Sequence, residues 1–148
     1  MKRIFYLLTL SALLFACSND DEFNFPKFHL EFLPIDEIDL PQTLEVDKDT
    51  LIDFKYTLKN GCYYYDNLYR KANDTASTNI TLAVVAYVDD DAETCSEETR
   101  EEENTFSMRL SKKEDYLFKI YKGTDTDGND VFEEITVSVV DPEETAAQ

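Results

Sequence analysis

Apolar residues recur at every second position in six separate runs between Phe28 and Val139, and that period leaves little room for anything but β-strands. Successive side chains of a strand point to opposite faces, so such a repeat marks a ribbon with one apolar and one polar side. Ile52, Phe54, Tyr56 and Leu58 alternate with Asp53, Lys55 and Thr57. Ile80, Leu82, Val84, Ala86 and Val88 form the longest and most apolar run, expected to be a central strand. Phe28, Leu30 and Phe32 come first; Phe106, Met108 and Leu110, then Tyr116, Phe118 and Ile120, then Ile135, Val137 and Val139 complete the set. Short runs of this kind, separated by polar turns, predict an all-β fold: an antiparallel β-sandwich of about seven strands over residues 28–141. No window of 11 or more residues reads as an amphipathic helix, and residues 97–103 could add a turn or two of helix within a loop.

Turn residues fall where the strands need them. Asn60-Gly61 and Asp127-Gly128 are expected to supply the positive φ of hairpin turns. Pro34 and Pro41 bracket residues 35–40, which suits an edge segment. The chain contains no internal repeat. With 43% hydrophobic residues, 10 Phe and 9 Tyr it has material for a core, which sets it apart from a disordered chain despite a formal charge of −18.

The N-terminus reads differently. Lys2 and Arg3 precede an apolar run over residues 4–16, the layout of a signal peptide, and the run is shorter than the roughly 20 residues of a spanning helix. Leu14-Phe15-Ala16-Cys17 resembles the lipobox of bacterial lipoproteins, with Phe15 in place of the usual small or polar residue. That resemblance implies cleavage after residue 16 and acylation of Cys17; two or more acyl chains, at about 0.8 kcal/mol per buried methylene, anchor a protein stably. The alternative is an ordinary signal peptide followed by release. Residues 17–27 then form a tether, whose Asp20-Asp21-Glu22 resembles the acidic export signal that sends Bacteroidota lipoproteins to the outer face of the outer membrane. The expected location is therefore the outer membrane, lipid-anchored and facing the exterior. Loss of residues 1–16 leaves 12 Lys and Arg against 32 Asp and Glu, a charge of −20. So acidic a chain is unsuited to nucleic acid, whose binding needs cations to displace counterions. Its membrane partner would be reached through lipid and not through charge.

With Cys17 assigned to lipid, Cys62 and Cys95 remain as an even pair in an exported protein, expected to be bonded to each other. Closing a loop of about 33 residues stabilises a fold by roughly 3–4 kcal/mol on the chain-entropy model. Two separate thiols are the alternative.

Three segments resemble a group of small Bacteroidota lipoproteins: Leu33-Pro34-Ile35-Asp36-Glu37-Ile38-Asp39-Leu40-Pro41; Cys62-Tyr63-Tyr64-Tyr65; and Tyr116-x-Phe118-Lys119-Ile120-Tyr121-x-Gly123-x-Asp125 continuing to Gly128-x-Asp130. The resemblance implies an Ig-like sandwich behind a lipid anchor and brings no activity with it.

Chemistry-bearing patterns are few. His29 is the only histidine, no Gly-x-Ser-x-Gly is present, and the cysteines are better used as a bridge, so no enzyme is expected. Asp125, Asp127, Asn129 and Asp130 alternate like the oxygen ligands of a calcium loop, but Gly128 and Thr136 fall where an EF-hand has other residues, and a polar hairpin turn joining the last two strands is the preferred reading of the run. Zinc lacks a ligand set, and no cofactor is expected beyond that weak Ca²⁺ candidate. The carboxylates from Asp89 to Glu103 repel one another and are expected to form a long solvated loop held by Cys95. At least one of Tyr63, Tyr64 and Tyr65 must reach solvent, where its ring could stack on a sugar or a partner side chain. Asp49-Thr50-Leu51 and Asp74-Thr75-Ala76 resemble the Bacteroidota O-glycosylation signal, making Thr50 and Thr75 candidate glycan carriers. Residues 142–148 are expected to be a disordered tail. Together these readings predict a non-catalytic binding or structural module on the cell surface, with an unknown protein or glycan partner. The alternative is a glycan- or divalent-cation-binding accessory to nutrient uptake.

Overall fold

The computed structural model describes residues 26–72 and 77–142. The signal segment, Cys17, the tether through residue 25, Thr75 and the tail from residue 143 lie outside the described residues. The rest is an all-β sandwich of nine strands: β1 (Phe28–Leu33), β2 (Glu37–Ile38), β3 (Thr43–Glu45), β4 (Thr50–Leu58), β5 (Tyr63–Ala72), β6 (Asn79–Asp89), β7 (Arg100–Met108), β8 (Tyr116–Thr124) and β9 (Asp130–Val140). β2, β4 and β7 form a small antiparallel sheet, and the other six form a large mixed one.

β6 is the spine of the large sheet, as its long apolar run implied. One edge pairs with β5, from Tyr63↔Val88 to Ala72↔Ile80. Two strands share the other edge: β1 runs antiparallel along residues 84–89, and β8 runs parallel along residues 79–82. β9 pairs antiparallel with β8, and β3 closes the sheet parallel to β9. The two parallel pairings depart from the antiparallel expectation. A parallel neighbour requires a crossover, and here β7, in the opposite sheet, carries the chain from β6 to β8. Alternation is blind to strand direction, so nothing in the period revealed it.

The core fills the space between the sheets. Ile52, Phe54, Tyr56 and Leu58 of β4, each at most 1% exposed, pack against Leu33, Leu82, Val84, Phe118, Ile120 and Val137 of the large sheet. Each such buried side chain contributes roughly 1.5–3 kcal/mol. Toward the N-terminal end of β7 the inward positions turn polar, yet they are satisfied: the Tyr56 hydroxyl donates to Glu102 at 2.9 Å and accepts from Asn104 Nδ2 at 2.8 Å. Burial, then the Glu102 carboxylate, raises the Tyr56 phenol above its ordinary pKa.

The expected bridge is present. Cys62 and Cys95 are bonded, with Cα atoms 5.3 Å apart. Beside it Gly61 N–H donates to the Ser96 carbonyl at 2.9 Å, and a Cβ on Gly61 would lie 2.9 Å from Ser96 Cβ. Gly61 is thus needed for close approach; its φ is not left-handed, contrary to the hairpin expectation, and Asn60 makes the turn by accepting the Cys62 N–H on Oδ1. Gly128, at φ +83°, does take the expected conformation. A second correction concerns the acidic stretch: its last three carboxylates are in β7, with Glu101, Glu102 and Glu103 paired to Thr57, Tyr56 and Lys55. Pairing with β4 satisfies their backbones, while Glu101 and Glu103 point to solvent.

Candidate functional site

The small sheet covers only one face of the large sheet, and the uncovered face is aromatic. On β1, Phe28, Leu30 and Phe32 point outward and are 53%, 56% and 50% exposed. The inward positions of that strand are Glu31 and Leu33. The β1 run therefore reads correctly as a strand while its apolar side faces away from the core. Tyr64 and Tyr87 stand opposite each other across β5 and β6, and Phe28 closes on Tyr87 with ring centroids 4.8 Å apart.

Further along, Phe32 meets Tyr69 edge-on at 5.1 Å and Tyr121 at 6.4 Å, and Tyr121 packs on Phe132 at 5.7 Å. These four rings, from β5, β1, β8 and β9, surround a hollow of about 290 Å³. It forms where β1 stops and β8 takes over the edge of β6, and the β6 residues there, Thr81 and Ala83, are too small to fill it. Tyr121 pairs with Phe132 just before the β8 irregularity, which Gly123 accommodates at φ +104°. Lys71 and Asp130 add one ammonium and one carboxylate to the lining. Burial, then the Asp130 charge, raises the Tyr121 phenol above its ordinary pKa, so it is a protonated donor at neutral pH.

Among the described residues, neither Lys71 nor Asp130 forms an ion pair or a side-chain hydrogen bond. Other cations do: Lys55 with Glu37, Lys59 with Glu31, Arg109 with Asp49, Lys119 with Glu134 and Lys122 with Glu133. A second concavity, of about 390 Å³ on the small sheet, is lined by Glu37, Asp39, Asp53, Lys55 and Glu103, and there the ammonium is already taken up by Glu37 at 2.8 Å.

The tyrosine run divides by parity. Tyr64 is 48% exposed, whereas Tyr63 and Tyr65 turn inward and pack against the core. Tyr63 donates to Glu31 at 2.6 Å, with Lys59 bound to the same carboxylate; the hydrogen bond to Glu31 and then burial push the phenol up to about 12. Tyr65 packs on Tyr56 at 5.3 Å.

In the Asp125 loop the carboxylate caps the turn. Its Oδ1 accepts the N–H groups of Asp127 and Asn129 at 2.9 and 2.8 Å, and those bonds lower its pKa. No group of three or more His, Cys, Asp or Glu that could hold a metal ion forms among the described residues; Asp127, Asn129 and Asp130 follow the turn into β9. His29 is exposed and hydrogen-bonds Asp90 at 2.9 Å. Thr50 opens β4 opposite Met108, half-buried, next to an Asp49 held by Arg109. No helix among the described residues is long and apolar enough to cross a membrane.

Sequence reasoning found Tyr64 but missed Phe32, Tyr69, Tyr121 and Phe132 as a group. A signal was there: Tyr87, Tyr121 and Phe132 are aromatics out of phase with the core alternation of their own strands. An out-of-phase ring is committed to the outer face. No family model matches this chain, and neither does any curated protein or solved structure.

Proposed function

We propose that the protein is a non-catalytic binding module of the cell surface, held in the outer membrane by acyl chains on Cys17 and presenting the outer face of its large sheet to a partner. The observation that carries this reading is the exposed run Phe28, Leu30 and Phe32 with the rings beside it. Contiguous exposed apolar surface of this kind marks interaction sites, because leaving it in water is unfavourable. The signal layout ending at Cys17, the acidic tether and the segments resembling small Bacteroidota lipoproteins support the anchored location.

The test has two parts. Protein isolated from its host should have a mass that begins at Cys17 and includes acyl chains, should partition into detergent, and should be removed from intact cells by added protease. Tyrosine footprinting should then show Tyr64 and Tyr87 protected in native envelopes relative to the purified protein. Equal labelling in both would mean that nothing covers the face. A mature chain without acyl groups would remove the anchor.

A further inference from the structure

We infer that the hollow walled by Phe32, Tyr69, Tyr121 and Phe132 is a binding site for a neutral pyranose saccharide; this deepens the binding-module reading and rests on it. Four observations converge on that class of ligand.

First, the walls are rings that stand around a floor of Thr81 and Ala83, giving apolar faces at several angles within about 290 Å³. That is the small end of ligand sites, suited to one or two sugar rings. The C–H faces of a pyranose are apolar and stack on such rings, while its hydroxyls project sideways. Second, the lining supplies both hydrogen-bonding senses: Lys71 donates, Asp130 accepts, and the Thr81 and Tyr121 hydroxyls can donate. Third, one ammonium and one carboxylate leave the lining with no net charge. A chain of −18 repels polyanions, and a cationic ligand would find better company on the small-sheet concavity. Fourth, Lys71 and Asp130 make no ion pair or side-chain hydrogen bond among the described residues, so their groups are available to a ligand without breaking an internal bond. An extended peptide is a poorer occupant, because it would add to a free strand edge, whereas the hollow lies over β6 and β8, each already paired on both sides.

The chain has no Trp, so its emission comes from its 9 tyrosines, of which Tyr69 and Tyr121 line the hollow. Full-length protein purified in detergent from its host is titrated with neutral hexasaccharides of glucose, mannose and xylose, by calorimetry and by tyrosine emission. At least one is expected to bind and to change the emission. Tyr69→Ala and Tyr121→Ala should each weaken binding about fivefold or more, the effect of truncating a central contact. Lys71→Met should weaken it about threefold, with the melting temperature unchanged. Tyr64→Ala, on the same face but outside the hollow, should bind as the parent does. Absence of binding by every neutral hexasaccharide overturns the proposal, as does equal affinity in the ring variants or an equal loss in Tyr64→Ala. Binding of polygalacturonate alone overturns the neutral class. Envelope protection of Tyr64 and Tyr87 with no saccharide binding would remove this inference and leave the broader reading standing; loss of both would remove both.

Discussion

β1 and β4 share one sequence signature and meet opposite fates. In β4 the alternating residues Ile52, Phe54, Tyr56 and Leu58 face the second sheet and are at most 1% exposed. In β1 the alternating residues Phe28, Leu30 and Phe32 face solvent at about half exposure, and Leu33 is what reaches the core. Alternation separates two faces of a strand without saying which is covered. Coverage depends on the partner sheet, and here three strands cover one side of six. Apolar side chains on the uncovered side therefore stay open to solvent and add less to stability than those of the core.

That contrast can be tested by substitution. The largest effect should come from Phe54→Ala, expected to cost about 3–5 kcal/mol because a fully buried ring leaves a cavity. Denaturant unfolding reads it, and a loss below about 1 kcal/mol would mean that β4 does not carry the core. Replacing Cys62 and Cys95 together with Ser should cost roughly 3–4 kcal/mol on the same assay. Phe32→Ala, half exposed, should cost about 1–2 kcal/mol through its contacts with Tyr69 and Tyr121. Leu30→Ser should change stability by no more than about 0.5 kcal/mol, as at ordinary surface positions. A larger loss there would show the face to be covered in the free protein.

The pH dependence sharpens the same comparison, because Glu31 is the inward polar residue of β1. Burial opposes its charge, but the hydrogen bonds from Lys59 and Tyr63 outweigh burial and hold its carboxyl below the ordinary 4.5. Its contribution is complete above that value and is lost as pH falls through the lowered one. Tyr63 is the mirror case: raised from 10 to about 12, it contributes fully below pH 10 and loses that contribution as pH rises toward 12. Melting temperature followed across both limbs should flatten on the acid side in Glu31→Gln and on the alkaline side in Tyr63→Phe. An unchanged alkaline limb in Tyr63→Phe would dissolve the pair.

Much of the fold was legible residue by residue. Five of the six runs fell on strands with their alternating members buried or, at Phe106 and Ile135, partly buried, Leu110 alone lying past its strand, and the even cysteine pair formed its bridge, because periodicity and pairing are local or arithmetic properties. The parallel placement of β8 beside β6 was not legible, since side-chain period is the same in either direction. Nor was the hollow, whose walls come from residues as far apart as Phe32 and Phe132 and meet only where one strand ends and another begins. The acidic stretch misled for a different reason: nine carboxylates suggest a solvated loop, yet a strand can carry Glu101 and Glu103 when they point outward and Lys55 lies across from one of them.

The parallel contact between β3 and β9 has a kinetic consequence. It joins Thr43–Glu45 to residues 138–140, so a chain emerging N-terminus first cannot complete its large sheet until its final strand has appeared. Non-local pairing of this kind folds slowly, and part of one β6 edge waits for β8 while residues 90–115, β7 among them, are still to arrive. Refolding rates should therefore respond to changes in β3 and β9, whose pairing spans the longest stretch of sequence in the large sheet.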